Sequence, residues 1–141
     1  MPESSIHTNL VRLLAEWLID LLPSEVSSHM LIDIPENTLQ KKPPKIYEFV
    51  PDIFVPNTRG YSHIIGEAKT ATDIDNNHTV EQITAFLRKC SESDNSLLVL
   101  AVPWHKVGNY GRQRGVHQAL FASVDTGSAP CHPLAGCAYH Q

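Results

Sequence analysis

Hydrophobic and polar positions alternate along the chain with two different periods. Ile6, Leu10, Leu13, Leu14, Trp17, Leu18 and Leu21 recur at helical spacing and Pro23 follows the run. The pattern predicts an amphipathic helix stopped by the proline, with Ser4 or Ser5 as its cap. Glu16 falls off the apolar centre of that helix, on a flank shared with Asn9 and Asp20. Three extended segments are expected next, over about 29–34, 47–55 and 62–69, each rich in β-branched or aromatic residues. The short turn at Asn57–Gly60 predicts an antiparallel hairpin between the second and third. A helix over about 79–90 should bury Val80, Ile83, Phe86, Leu87 and Cys90. Leu97–Val102 (LLVLAV) is a continuous apolar run, as expected of a central strand buried on both faces. Gly111–Val124 reads as a last helix, with Val116, Leu120, Phe121 and Val124 on one face.

The expected order is α-β-β-β-α-β-α. The crossover helix makes the third and fourth strands parallel. This is an α/β fold with a central mixed sheet flanked by helices, occupying residues 1–124. From Asp125 to Gln141 the composition turns to Gly, Ser, Pro and Ala, and an irregular C-terminal tail is expected.

Composition narrows the class. A length of 141 residues suits one domain, and 42% hydrophobic with 18% charged residues is ordinary for a globular fold. No apolar run is long enough to span a bilayer, and Met1–Ser5 lack a basic leader region. A cytoplasmic protein with no membrane partner is expected. Three cysteines, an odd number, argue against a disulfide framework, and Cys90 reads as a small buried hydrophobe. A net charge of −4 excludes a general basic field. The bases instead form two groups, Lys41, Lys42 and Lys45, then Lys106, Arg112 and Arg114. The two arginines lie in a Gly-containing loop before the last expected helix, where backbone donors and guanidinium suit phosphate; the alternative is solvated charge. No Gly-rich phosphate loop, nucleophile elbow or dinucleotide fingerprint is present.

The chemistry concentrates at Pro51-Asp52 and Glu67-Ala68-Lys69. Side chains alternate along a strand, so Glu67 and Lys69 share a face and Ala68 takes the other. Ile64, Gly66 and Ala68 on that other face leave room for close packing of a helix. If the hairpin forms, Asp52 comes beside Glu67. Two carboxylates are the ligand type for Mg²⁺, which keeps waters and takes substrate phosphate to complete its octahedron. The Ala68 carbonyl can add a third oxygen, and Lys69 can orient a water or offset developing negative charge. Asp73 and Asp75 before the second helix read as cap residues rather than as a second ion site. His63 and His78 read as surface histidines near the site. Cys131, His132, Cys137 and His140 match no finger or ribbon spacing, and no zinc site is expected.

Element order, Pro51-Asp52 and Glu67-x-Lys69 together resemble the PD-(D/E)xK nuclease superfamily, with its restriction-endonuclease-like or Holliday-junction-resolvase-like core. The resemblance covers roughly residues 6–124. It implies a Mg²⁺- or Mn²⁺-dependent DNA endonuclease in which Asp52 and Glu67 bind metal and Lys69 assists the water. Glu16 then matches the glutamate that the first helix of such proteins carries in support of the metal. Gln82 matches a glutamine placed near the lysine, although Thr79-x-x-Gln82 also fits a capping box. The resemblance further implies a homodimer, with DNA recognised through shape, through Lys41, Lys42, Lys106, Arg112 and Arg114, or through a partner protein. The alternative is a catalytically silent module of the same fold, used for DNA binding or protein assembly in a mobile-element, defence or repair system.

Overall fold

A computed structural model describes residues 5–22, 29–36, 41–58, 60–103, 119–125 and 138–139. The chain opens with helix α1 (Ser5–Leu21). Strand β1 (Leu31–Ile32) is followed by β2 (Ile53–Thr58) and β3 (Tyr61–Ala68). Helix α2 (Asn77–Ser91) leads to β4 (Ser96–Pro103), and β5 (Ala119–Asp125) and β6 (Ala138–Tyr139) complete the sheet. The spatial order is β1-β2-β3-β4-β5-β6. β3 and β4 are parallel and every other neighbouring pair is antiparallel. The α/β class, the hairpin and the parallel crossover pair are as the sequence predicts.

The two faces of the sheet bury different helices. Leu10, Val11, Leu14 and Leu18 of α1 pack with Ile53, Val55, Ile64, Ala68, Leu97, Val99 and Ala101. Phe86 and Cys90 of α2 pack with Ile65 and Leu98 on the other face. Alternate positions of β3 and β4 thus serve opposite layers, which explains why LLVLAV is apolar throughout. Gly66 is where α1 comes closest: a Cβ there would meet Ile53 Cβ at 3.0 Å and Leu14 Cδ2 at 3.1 Å.

Several boundaries differ from expectation. The segment expected to end a helix, 119–124, is strand β5, running antiparallel to β4 from Leu97–Asp125 to Pro103–Ala119. Leu120, Phe121 and Val124 fit helical spacing, but β4 would otherwise present an unpaired backbone edge, and ladder formation decides. Residues 111–118 lie outside the described residues. Within the expected tail, Asp125 belongs to β5 and Ala138–Tyr139 pair with it; Cys131, His132, Cys137 and His140 lie outside the described residues.

Pro51 precedes β2 rather than interrupting it, and Ile46–Phe49 closes a tight turn in which Tyr47 takes φ 53°. The proline within β2 is instead Pro56, beyond the two positions that β1 covers, where a missing donor is tolerated.

The buried face of α2 also differs. Val80 and Leu87, expected in the core, are 59% and 37% exposed, while Thr79 and Gln82 are buried with Phe86 and Cys90. Thr79 Oγ1 donates to the Asp73 carbonyl at 2.6 Å and Gln82 bonds to Lys69, so satisfied polar groups set the rotation of the helix.

Candidate functional site

The carboxyl end of β3 and the start of β2 meet at one edge of the sheet. The ladder ends at the pair Ile53–Gly66, and one step further Asp52 stands across from Glu67. The two are joined without ladder bonds. Asp52 N–H donates to Glu67 Oε2 at 3.2 Å, and Ala68 N–H donates to Asp52 Oδ2 at 2.8 Å. Each carboxylate therefore takes a backbone donor at the end of the hairpin.

Lys69 follows β3, anchored by its N–H to the Ala101 carbonyl at 2.9 Å. Its ammonium lies 2.9 Å from Glu67 Oε1 and donates to Gln82 Oε1 at 2.5 Å. Gln82 arrives on α2, whose start is fixed by Asn76: the Asn76 side chain accepts from Thr79 N–H at 2.7 Å. The cap is thus Asn76, not the Thr79–Gln82 box, and Gln82 is free to face the lysine. Neither Asp73 nor Asp75 caps the helix; Asp73 accepts from Thr70 Oγ1 through its carboxylate.

The cluster is largely dry. Asp52 is 7% exposed and Glu67 2%. Burial foremost, and then the nearby Asp52 carboxylate, push the Glu67 carboxyl up to about 8 against the opposing pull of the Lys69 ammonium. A carboxyl so placed takes a proton readily unless further positive charge arrives.

A fifth side chain joins from α1. His7 Nε2 lies 3.2 Å from Asp52 Oδ2. No motif marks it in the sequence, although its spacing of four and seven residues from Val11 and Leu14 sets it on the buried stripe. Glu16, the residue expected from that helix, is exposed. It lies nine positions beyond His7, which is about half a turn around the helix and about 13 Å along it. The described geometry does not bring it to the cluster.

Asp52, Glu67, Ala68, Lys69 and Gln82 are therefore brought together, and Glu16 is not. All hydrogen bonds to the Asp52 carboxylate fall on Oδ2, and Oδ1 takes none among the described residues. Two carboxylates are oxygen donors of the kind hard divalent cations take. Among the described residues, no group of three or more His, Cys, Asp or Glu is placed to hold a metal ion. An ion here would need waters or a substrate oxyanion to complete its shell.

Of the expected DNA contacts, Lys41 and Lys42 are exposed, and Lys42 Nζ donates to Asp33 at 2.8 Å. Lys106, Arg112 and Arg114 lie outside the described residues. His78 is exposed and packs edge-on to Phe49. His63, expected at the surface, is 6% exposed and stacks on Phe54 with ring centroids 5.8 Å apart; burial holds its imidazole below the usual histidine range.

The chain matches no known protein family, no curated protein and no solved structure. The geometry of the cluster carries the functional argument alone. Among the described residues, no helix is long and apolar enough to cross a membrane.

Proposed function

We propose that the chain is a divalent-metal-dependent DNA endonuclease built on a restriction-endonuclease-like core. The observation that carries this reading is the convergence of Asp52, Glu67 and Lys69 at one sheet edge, with Lys69 held between Glu67 and Gln82. Asp52 and Glu67, with the Ala68 carbonyl, are the residues that would hold Mg²⁺ or Mn²⁺. Such an ion supplies an activated water and neutralises charge on the phosphate.

The protein's own part is positional and electrostatic. Hydrogen bonds fix the two carboxylates before any cation arrives, which reduces the ordering needed on binding. The Lys69 ammonium, pinned by the Gln82 amide, stands where it can hold a water or offset charge developing on a phosphoryl oxygen. Burial and the Asp52 carboxylate raise the Glu67 carboxyl, so a divalent cation would enter the site with release of a proton.

Cleavage of supercoiled plasmid tests this reading. Nicking with Mg²⁺ that EDTA stops and Lys69→Ala loses is the expected result; no cleavage by folded wild-type protein under either ion opposes it.

One observation favours a second reading, a catalytically silent module of the same fold. Both Glu67 oxygens are already engaged within the chain, Oε1 by Lys69 and Oε2 by Asp52 N–H, so the cluster can serve as a structural lock on the hairpin end. Calorimetric titration with Mn²⁺ separates the two: a lock takes up no ion.

A further inference from the structure

Asp52 sits on a bend before β2, and its side chain would be loosely held there without external partners. Two donors fix it, and both reach the same oxygen: Ala68 N–H at 2.8 Å from β3, and His7 Nε2 at 3.2 Å from α1. The contact spans 45 residues of sequence and is part-buried, with His7 and Asp52 side chains 17% and 10% exposed. An ionised carboxylate only accepts hydrogen bonds, so His7 Nε2 carries the proton in this pair. The Ala68 donor belongs to the sheet itself, whereas the His7 donor is supplied by a separate helix. That helix is seated by Leu14 against Gly66 and Ile53, so α1 delivers the imidazole from an element packed on the sheet.

We infer that His7 is a positioning residue for the proposed metal site. With Ala68 N–H it saturates Asp52 Oδ2 and fixes the carboxylate plane, leaving Oδ1 as the oxygen that meets a cation. The inference rests on the endonuclease reading and assigns to α1 an imidazole that acts through Asp52, in place of a direct acidic contribution from Glu16. Hydrogen-bond partners behind a ligating carboxylate typically change metal affinity by about ten- to a hundredfold when removed.

The test is calorimetric Mn²⁺ titration of wild type, His7→Ala, His7→Gln and Asp52→Ala, with circular dichroism to establish folding of each. A glutamine amide can present a donor near the position of Nε2, whereas alanine presents none. The expected result is about tenfold weaker Mn²⁺ binding in His7→Ala, recovered to within a few-fold of wild type in His7→Gln, and loss of binding in Asp52→Ala. Equal weakening of the alanine and glutamine variants would assign His7 a packing role and overturn the inference. Unchanged affinity in His7→Ala alongside loss in Asp52→Ala would also overturn it, while sparing the metal site. Absence of Mn²⁺ binding by wild type would overturn the endonuclease reading and this inference together. Should His7→Ala fail to fold, comparison of His7→Gln with His7→Leu, a similarly sized residue with no donor, gives the same discrimination.

Discussion

Lys69 Nζ donates to Gln82 Oε1 at 2.5 Å and stands 2.9 Å from Glu67 Oε1, so a single ammonium ties the end of β3 to the second turn of α2. Lys69 is 13% exposed at its side chain, and a long flexible chain held so closely has lost most of its rotamer freedom. Removing one partner of such a buried arrangement leaves the others uncompensated. In Lys69→Ala, cleavage should fall by about a hundredfold or more, while Gln82→Ala, which only loosens the ammonium, should cost less. Steady-state nicking assays of both variants check this ordering. Gln82→Ala equal to wild type would reduce the glutamine to a helix-packing residue.

Glu67 makes stability depend on pH in a stated direction. Its carboxyl rises from 4.5 to about 8 in the folded chain. Between those values the unfolded chain ionises while the folded one keeps its proton, so the folded state binds more protons and stability falls as pH rises. The slope contributed is at most about 1.4 kcal/mol per pH unit, and it ends above the folded value. Urea denaturation of the metal-free protein at pH 5, 6.5 and 8 should show this decline, and Glu67→Gln should flatten it. Parallel profiles for the two proteins would contradict the assignment. Mg²⁺ should oppose the decline, stabilising wild type more at pH 8 than at pH 5.

Gly66 is a steric requirement. A methyl group there meets Ile53 Cβ at 3.0 Å, and a Cβ tied to the β2 backbone has little freedom to retreat. Gly66→Ala should destabilise the fold by about 1–3 kcal/mol, measured by chemical denaturation. Since residue 66 directly precedes Glu67, cleavage should fall as well. A variant as stable as wild type would show that α1 can withdraw from the sheet.

Asn76 supplies the cap that starts α2. Asn76→Ala should cost about 1 kcal/mol, and Asn76→Asp should retain most of that stability because its carboxylate accepts the same Thr79 N–H. Thermal denaturation of the two variants measures the difference; equal losses would mean the cap contributes nothing.

Much of this architecture was legible in the residues themselves. The seven-residue apolar series from Ile6 to Leu21 marks α1, and the period-two pattern around Glu67-x-Lys69 puts both charges on one face of β3. The small residues Gly66 and Ala68 announce the close approach of α1. What was not legible depends on partners distant in sequence. His7 reads as an ordinary polar residue until Asp52, 45 positions away, is placed beside it. Gln82 is expected near Lys69 only through the family resemblance, whereas the apolar pattern of α2 points to Val80 and Leu87. The bonds of Thr79 to Asp73 and of Gln82 to Lys69 explain why those two are buried while Val80 faces out. Leu120, Phe121 and Val124 suit either a helix or a strand, and the open edge of β4 decides between them.

The central claim is that Asp52, Glu67 and Lys69 form a metal-dependent hydrolytic site. Its most direct test is cleavage of supercoiled plasmid and of a synthetic four-way junction by wild type, Asp52→Asn and Lys69→Ala. Each reaction is run with Mg²⁺, with Mn²⁺ and with EDTA, after circular dichroism shows the variants folded. The account predicts cleavage by wild type with either metal, none in EDTA, and loss in both variants. Cleavage that persists in EDTA or survives both substitutions, or folded wild type that cuts neither DNA, would contradict it.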